Sequence, residues 1–145
     1  MEEYKQLKNK YYKEFLKNLK NKIDKVNMSY IETDFIKEII MDRTGFLFPE
    51  FYENYKDDGI ILISGLSYNV EFKRMHDYEK DKNIFKIRKF FHVKSLNVIW
   101  IEYSEEFNWI TFYDLNEITK KIKYKINGDT LETSEDVDPF LILEV

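Results

Sequence analysis

The residues of this chain that have acid–base chemistry are few and widely spaced. His76 is followed by Asp77, whose carboxylate could orient or charge the imidazole, and His92 lies sixteen residues further on. The two histidines lack the H-x-x-x-H spacing of a helical metal site, and the chain contains no cysteine. We therefore expect no metal site and no cofactor, and we interpret His76 as a solvated loop residue.

Carboxylates occur in three short clusters, which are Asp57-Asp58, Glu105-Glu106 and Glu135-Asp136-Val137-Asp138. Such pairs can bind Mg²⁺ or share a proton, but each cluster falls in a predicted turn, where Asp is favoured for backbone reasons. The four glycines are too scattered for a phosphate-binding loop, and no serine lies in a G-x-S-x-G motif. The sequence predicts a protein that is not an enzyme.

Composition limits where this chain acts and what it binds. It has 145 residues, a net charge of −4 and no apolar run near the ~20 residues that a membrane span needs. No secretory apolar segment follows Met1, so we expect a cytoplasmic protein with no membrane partner. Basic and acidic blocks alternate, so we do not expect direct nucleic-acid binding. The absence of Ala, with twenty Lys against three Arg, indicates a low-GC bacterium, or its phage or plasmid.

The N-terminal part of the chain has helical periodicity. Apolar residues recur every three or four positions over residues 4–26, which predicts a helix with lysines on its opposite face. A short further helix is predicted from Pro49 to just before Gly59, because proline suits a first helical turn.

A helix between these two is predicted over about residues 30–43. Ser29 and Glu32 have the spacing of a capping box, and Gly45 is placed to end the helix. The predicted buried face consists of Ile31, Phe35, Ile36, Ile39 and Ile40.

The period changes to that of strands after Gly59. Strands are predicted over residues 60–63, 68–73, 84–92, 96–103, 107–113, about 121–126, 129–133 and 140–145. The strongest hairpin joins the fourth and fifth of these across Ser104-Glu105-Glu106, and Asn127-Gly128 predicts a type I′ turn. Residues 115–126 also fit a helix, and we prefer a strand from about Lys121.

Helices followed by strands indicate an α+β fold. We expect two or three N-terminal helices packed on a curved antiparallel sheet of about six strands. No internal repeat or linker divides the chain, so we predict a single domain over residues 1–145. Its helical segment covers residues 1–58 and its sheet covers residues 59–145.

Aromatic residues make up 17% of the chain and occupy both faces of the strongest hairpin. A sheet with one covered face would alternate apolar and polar residues, so both faces are buried or one of them awaits a covering group. A core built from Phe and Tyr, an aromatic cavity and a partner-binding face all fit this pattern.

The segment Phe48-Pro49-Glu50-Phe51-Tyr52, ahead of Asp58-Gly59, resembles the Pro-x-x-Tyr segment that precedes a glycine in some bacterial toxin-immunity proteins. The likeness covers about a dozen residues and lacks the Gly-Gly that follows in those proteins. No residue role is carried over from it.

The sequence favours a non-enzymatic protein-binding function, as an inhibitor, an antidote or immunity protein, or an anti-defence factor. Acidic turns suit a basic partner such as a nuclease or toxin. The predicted contact residues are Tyr103, Glu105, Glu106, Trp109, Tyr113, Asp136 and Asp138. The alternative is a small-molecule-binding cavity protein, or a modest acid–base enzyme, with a pocket formed by His76, Asp77, His92 and Trp100.

Overall fold

The computed structural model describes residues 25–49, 59–75, 87–93 and 95–145 of the chain, with the side chains of α1 described from Glu32 onward. The elements are α1 Lys25–Thr44, β1 Ile60–Ile63, β2 Leu66–Met75, β3 Arg88–Phe90, β4 Val98–Ser104, β5 Trp109–Asp114, α2 Leu115–Thr119, β6 Lys125–Asn127, β7 Thr130–Thr133 and β8 Leu141–Glu144. Helix precedes mostly antiparallel strands, which confirms the predicted α+β class.

The chain forms two compact units, Met1–Leu66 and Ser67–Val145. The single domain over residues 1–145 stays a prediction. The predicted helix over residues 4–26 and the predicted short helix that starts at Pro49 lie outside the described residues, apart from their ends.

Helix α1 carries the apolar face that the sequence predicts. Four of its side chains are fully buried: Phe35, Ile36, Ile39 and Ile40. The helix ends at Gly45, as predicted, where the N–H donates to the carbonyl of Met41 at 3.0 Å. Gly45 has a φ of +79°, which a residue with a side chain rarely adopts.

The predicted start of this helix is wrong. The helix begins at Lys25, so Ser29 lies inside it and not at its N-cap. A capping residue contributes only about 1 kcal/mol, so a suitable cap does not stop a helix that the preceding residues can extend.

Strand β1 belongs to the same unit as α1. Leu62 of β1 forms an antiparallel bridge with Leu47, with N–H to carbonyl distances of 3.1 and 2.8 Å. Ile61, its neighbour, is fully buried. The bridge therefore connects the segment after α1 to the strand that the apolar run Ile60–Ile63 predicts.

The second unit contains two groups of strands. Strands β2, β4, β5 and β8 lie side by side in that order, and β3, β7 and β6 form a smaller sheet. The prediction of wholly antiparallel pairing is wrong at β2 and β4, which run parallel with Asn69 opposite Val98. The chain leaves the larger sheet after β2 to form β3 elsewhere, and a connection of that length lets β4 return in the same direction.

The hairpin of β4 and β5 confirms the strongest strand prediction. The strands are antiparallel, with Trp100 opposite Tyr113 and Tyr103 opposite Ile110. Every residue of β4 is buried, and so are all those of β5 except Asp114. Burial of both faces is what the lack of polar alternation predicts.

The ambiguous segment 115–126 is a helix first and a strand afterwards. Helix α2 takes up Leu115–Thr119, and the next strand, β6, begins only at Lys125. The preferred strand from about Lys121 is therefore wrong over residues 121–124. The Asp114 carboxylate caps α2 and accepts hydrogen bonds from two backbone N–H groups at 3.1 and 3.3 Å. An N-cap aspartate of this kind favours helix over strand for the residues that follow it.

The turn between β6 and β7 differs by one residue from the prediction. Asn127 pairs with Thr130, so the loop residues are Gly128 and Asp129. Gly128 has a φ of +65° and Asp129 has a negative one, whereas a type I′ turn needs both positive. The shift puts glycine at the position that requires the positive φ.

Strand β8 confirms the predicted final strand. It begins two residues after Pro139 and pairs antiparallel with β5, with Leu141 opposite Phe112 and Glu144 opposite Trp109. In the described parts of the chain, no helix is both long enough and apolar enough to cross a membrane.

Candidate functional site

The three aromatic residues that the sequence predicts as partner contacts lie in the interior. Tyr103, Trp109 and Tyr113 are all less than one-tenth exposed. Tyr103 stacks on Phe107, with ring centroids 6.3 Å apart and an interplanar angle of 12°. These side chains support the sheet and present little surface to a partner.

The predicted acidic contacts lie at opposite ends of β5. Glu106 is exposed in the turn before β5, and Glu105 lies 3.8 Å from Arg74. Asp136 and Asp138 lie beyond the far end of β5, close to Asp114. A six-residue strand spans about 20 Å, so the structure does not bring the two acidic groups together.

Only His92 and Trp100 of the alternative pocket are among the residues that the structure describes. His76 and Asp77 lie outside the described residues. His92 is largely exposed, and its Nδ1 lies 3.5 Å from the Asp129 carboxylate. Trp100 is buried, and its indole Nε1–H donates to Glu102 at 2.9 Å.

An open cleft of about 720 Å³ lies between helix α2 and the segment that leads into β8. We call it the acidic cleft, because five carboxylates and one lysine line it. The charged residues are Asp114, Glu117, Lys121, Glu135, Asp136 and Asp138. The β6–β7 hairpin brings these two distant parts of the sequence together.

Three of the cleft carboxylates are already engaged within the protein. Asp114 caps helix α2, and Glu135 accepts a hydrogen bond from the backbone N–H of Lys123. Glu117 accepts one from the Lys120 ammonium at 2.9 Å, and this bond and charge lower the pKa of the Glu117 carboxyl. Within the described chain, Asp136 and Asp138 make no hydrogen bond or ion pair, so their charge faces the cleft uncompensated.

An exposed aromatic ring lies beside these carboxylates. Phe140 lines the acidic cleft and is 47% exposed, although its ring also contacts buried Phe112 at a centroid distance of 5.8 Å. Ile118, Ile122 and Val137 also line the cleft and pack on the core beneath. The cleft therefore combines negative charge with an accessible apolar group.

A buried charged pair lies in the core of the second unit. Nη2 of Arg88 lies 2.6 Å from Oε2 of Glu102, and both side chains are about one-tenth exposed. The guanidinium packs on the ring of Phe90 at 5.0 Å and on that of Tyr113 at 4.7 Å. We call Arg88, Glu102, Phe90, Trp100 and Tyr113 the buried network.

Arg88, Glu102 and Phe140 are not among the residues that the sequence predicted for a functional site. One signal pointed to Arg88, which is one of only three arginines in a lysine-rich chain. Arginine, with its planar guanidinium, suits a stacked and paired site where lysine does not. Glu102 and Phe140 carry no comparable signal.

The buried network predicts a distinct response to alkaline pH. Burial raises the pKa of Tyr113 from 10.0 to about 12, while Arg88 opposes the rise and Glu102 adds to it. As pH rises, the Tyr113 hydroxyl therefore loses its proton in the unfolded state before it does so in the folded state. The contribution of neutral Tyr113 to the free energy of unfolding is complete below pH 10 and is lost as pH rises towards 12. We expect Tyr113→Phe to remove a slope of up to about 1.4 kcal/mol per pH unit from the free energy of unfolding. Urea unfolding between pH 9 and 12 measures it, and equal slopes in both proteins would contradict it.

The described residues contain no group of three or more His, Cys, Asp or Glu side chains that is arranged to hold a metal ion. No protein-family model matches the chain, and comparison with curated proteins and with solved structures finds no match.

Proposed function

We propose that this chain is a non-catalytic protein-binding module that takes a basic protein partner at the acidic cleft. A role as an inhibitor, antidote or anti-defence factor directed at a basic nuclease or toxin fits this function. The observation that supports it is an exposed aromatic ring, Phe140, next to the uncompensated carboxylates of Asp136 and Asp138.

The chemistry of the cleft suits a protein better than a small molecule. It is open to solvent, and its polar groups are nearly all carboxylates, which attract lysine and arginine side chains. Interface centres commonly have an aromatic anchor inside a polar rim, which is the arrangement of Phe140 and its acidic neighbours. Neither tryptophan nor His92 lines the cleft, so the alternative of an acid–base pocket gains no support from it.

Capture from extracts of the source cells tests the proposal when matched charge variants are compared. Asp136→Asn/Asp138→Asn removes two charges from the cleft. Asp129→Asn/Glu132→Gln removes the same charge from the same unit, at residues that do not line the cleft. We expect the cleft variant to recover about tenfold less of a basic protein that wild type retains. The control variant should recover as much of that protein as wild type does.

Two results would count against this function. If both double variants lose the same proteins equally, the binding depends on overall charge and not on the cleft. If wild type retains no protein that the cleft variant loses, the cleft has no protein partner. A third variant, Glu105→Gln/Glu106→Gln, tests whether the predicted turn also contributes.

A further inference from the structure

The edge of β8 has the properties of a strand-pairing surface. Among the described strands, β8 is the last in its sheet and pairs on one side only, with β5. It consists of Leu141, Ile142, Leu143 and Glu144, with no lysine, proline or bulge within it. Of the features that keep natural edge strands from pairing with other chains, β8 has a short length and the terminal Glu144, while its three aliphatic residues carry none.

The hydrogen-bond pattern shows which backbone groups face outward. The N–H of Val145 donates to the carbonyl of Asn108 at 3.0 Å, so these two residues form a hydrogen-bonded pair. Such pairs alternate with non-bonded ones along antiparallel strands. Ile142, opposite Thr111, therefore belongs to a non-bonded pair and directs its N–H and carbonyl away from β5.

The side chains along this edge are apolar and accessible at its centre and acidic beyond both ends. Ile142 is 47% exposed, as is Phe140 two residues earlier, where the chain leaves the acidic cleft. At the other end, Asn108 lies two residues from exposed Glu106. An extended segment along β8 would thus lie on aliphatic surface, with a carboxylate near each of its ends.

We propose that the partner contributes an extended segment, apolar in its middle and basic at its ends, which pairs with β8 as an added strand. This inference rests on the proposed function, and it specifies the chemistry of the protein that binds at the acidic cleft. Main-chain hydrogen bonds to Ile142 provide affinity in this mode of recognition. The acidic cleft then selects for lysine or arginine at the end of the segment that reaches Phe140.

The test uses a synthetic peptide, Lys-Lys-Thr-Val-Thr-Val-Thr-Lys-Lys, and the same peptide with all of its threonines and valines N-methylated, so that neither edge keeps a central N–H. The second peptide keeps the charges and side chains but cannot pair as a strand. We expect the first to bind at least about tenfold more tightly, because each lost backbone hydrogen bond weakens association severalfold. On binding, exchange of the Ile142 amide hydrogen in the wild-type protein should slow at least about tenfold.

Two substitutions at one position provide the matched variants. Ile142→Pro removes the outward N–H, which an edge strand tolerates because that group has no partner in β5. Ile142→Thr keeps the N–H and a β-branched side chain. We expect the proline variant to lose the peptide and the threonine variant to retain it within about twofold.

The outcomes separate this inference from the proposed function. Equal binding of both peptides, or an unprotected Ile142 amide, overturns strand addition, and so does no peptide binding at all. If binding then still depends on Asp136 and Asp138, the proposed function stands. The amide exchange measurement decides the question even if Ile142→Pro does not fold.

Discussion

Replacing Glu102 by glutamine is expected to destabilise the protein by about 3–5 kcal/mol, because the buried guanidinium of Arg88 then loses its counter-charge. Arg88→Met should cost a similar amount, since it leaves the Glu102 carboxylate buried without a cation. The double variant Arg88→Met/Glu102→Gln should recover much of the loss, because neither charge remains to be desolvated. Urea unfolding of the four proteins measures the coupling.

The neighbouring ion pair provides a control for this cycle. Lys89 adjoins Arg88 in β3, and its Nζ lies 3.8 Å from Glu132 with about half of the lysine side chain exposed. A pair that solvent screens in this way couples by less than about 1 kcal/mol. If the losses in the free energy of unfolding at Arg88 and Glu102 are simply additive, their charges do not hold the buried network together. Equal coupling energies for the Arg88–Glu102 and Lys89–Glu132 pairs would lead to the same conclusion.

Phe90→Ala is the second change with a large expected effect, a loss of about 3–5 kcal/mol in the free energy of unfolding. The Phe90 ring is fully buried and meets Trp100 edge-on at 5.2 Å. Its removal leaves a cavity that the surrounding rings of the buried network cannot fill.

Phe91→Ala is the matched control, since it removes the same side chain one residue further on. Phe91 is 41% exposed, and Lys73 Nζ lies 6.0 Å from its ring centroid. We expect this variant to lose less than about 1 kcal/mol. Denaturant unfolding compares the two variants, and equal losses would show that β3 does not direct Phe90 into the core.

The sequence predicted the β4–β5 hairpin well because local and tertiary demands agree there. Both strands are rich in β-branched and aromatic residues, and a polar turn lies between them. Their lack of polar alternation also predicted burial of both faces. The Glu102 carboxylate is the exception, and its burial depends on Arg88, which no local pattern reveals.

Strand β3 shows why the buried network could not be predicted. Alternation alone groups Ile87, Lys89 and Phe91 on one side and leaves Arg88 with Phe90 on the other. The pattern favours the two apolar residues as the inward side, yet the structure exposes them and buries Arg88 and Phe90. Stacking and charge pairing with other strands decide the orientation, and these are tertiary contacts.

The sequence did not predict the acidic cleft. Asp136 and Asp138 were identified as acidic contacts, but as isolated outliers. Their association with Asp114 and Glu117 depends on the β6–β7 hairpin and on helix α2, where the preferred strand was wrong. Carboxylates about twenty residues apart in sequence become neighbours only through that local fold.

The rate of association with a captured basic partner, measured against salt concentration, tests the central claim most directly. Uncompensated carboxylates attract a basic protein over about a Debye length, so the wild-type rate should fall steeply as salt rises. Asp136→Asn/Asp138→Asn should associate about tenfold more slowly at low salt and show a flatter dependence, while Asp129→Asn/Glu132→Gln should follow wild type. Identical salt dependence in wild type and the cleft variant would contradict binding at the acidic cleft.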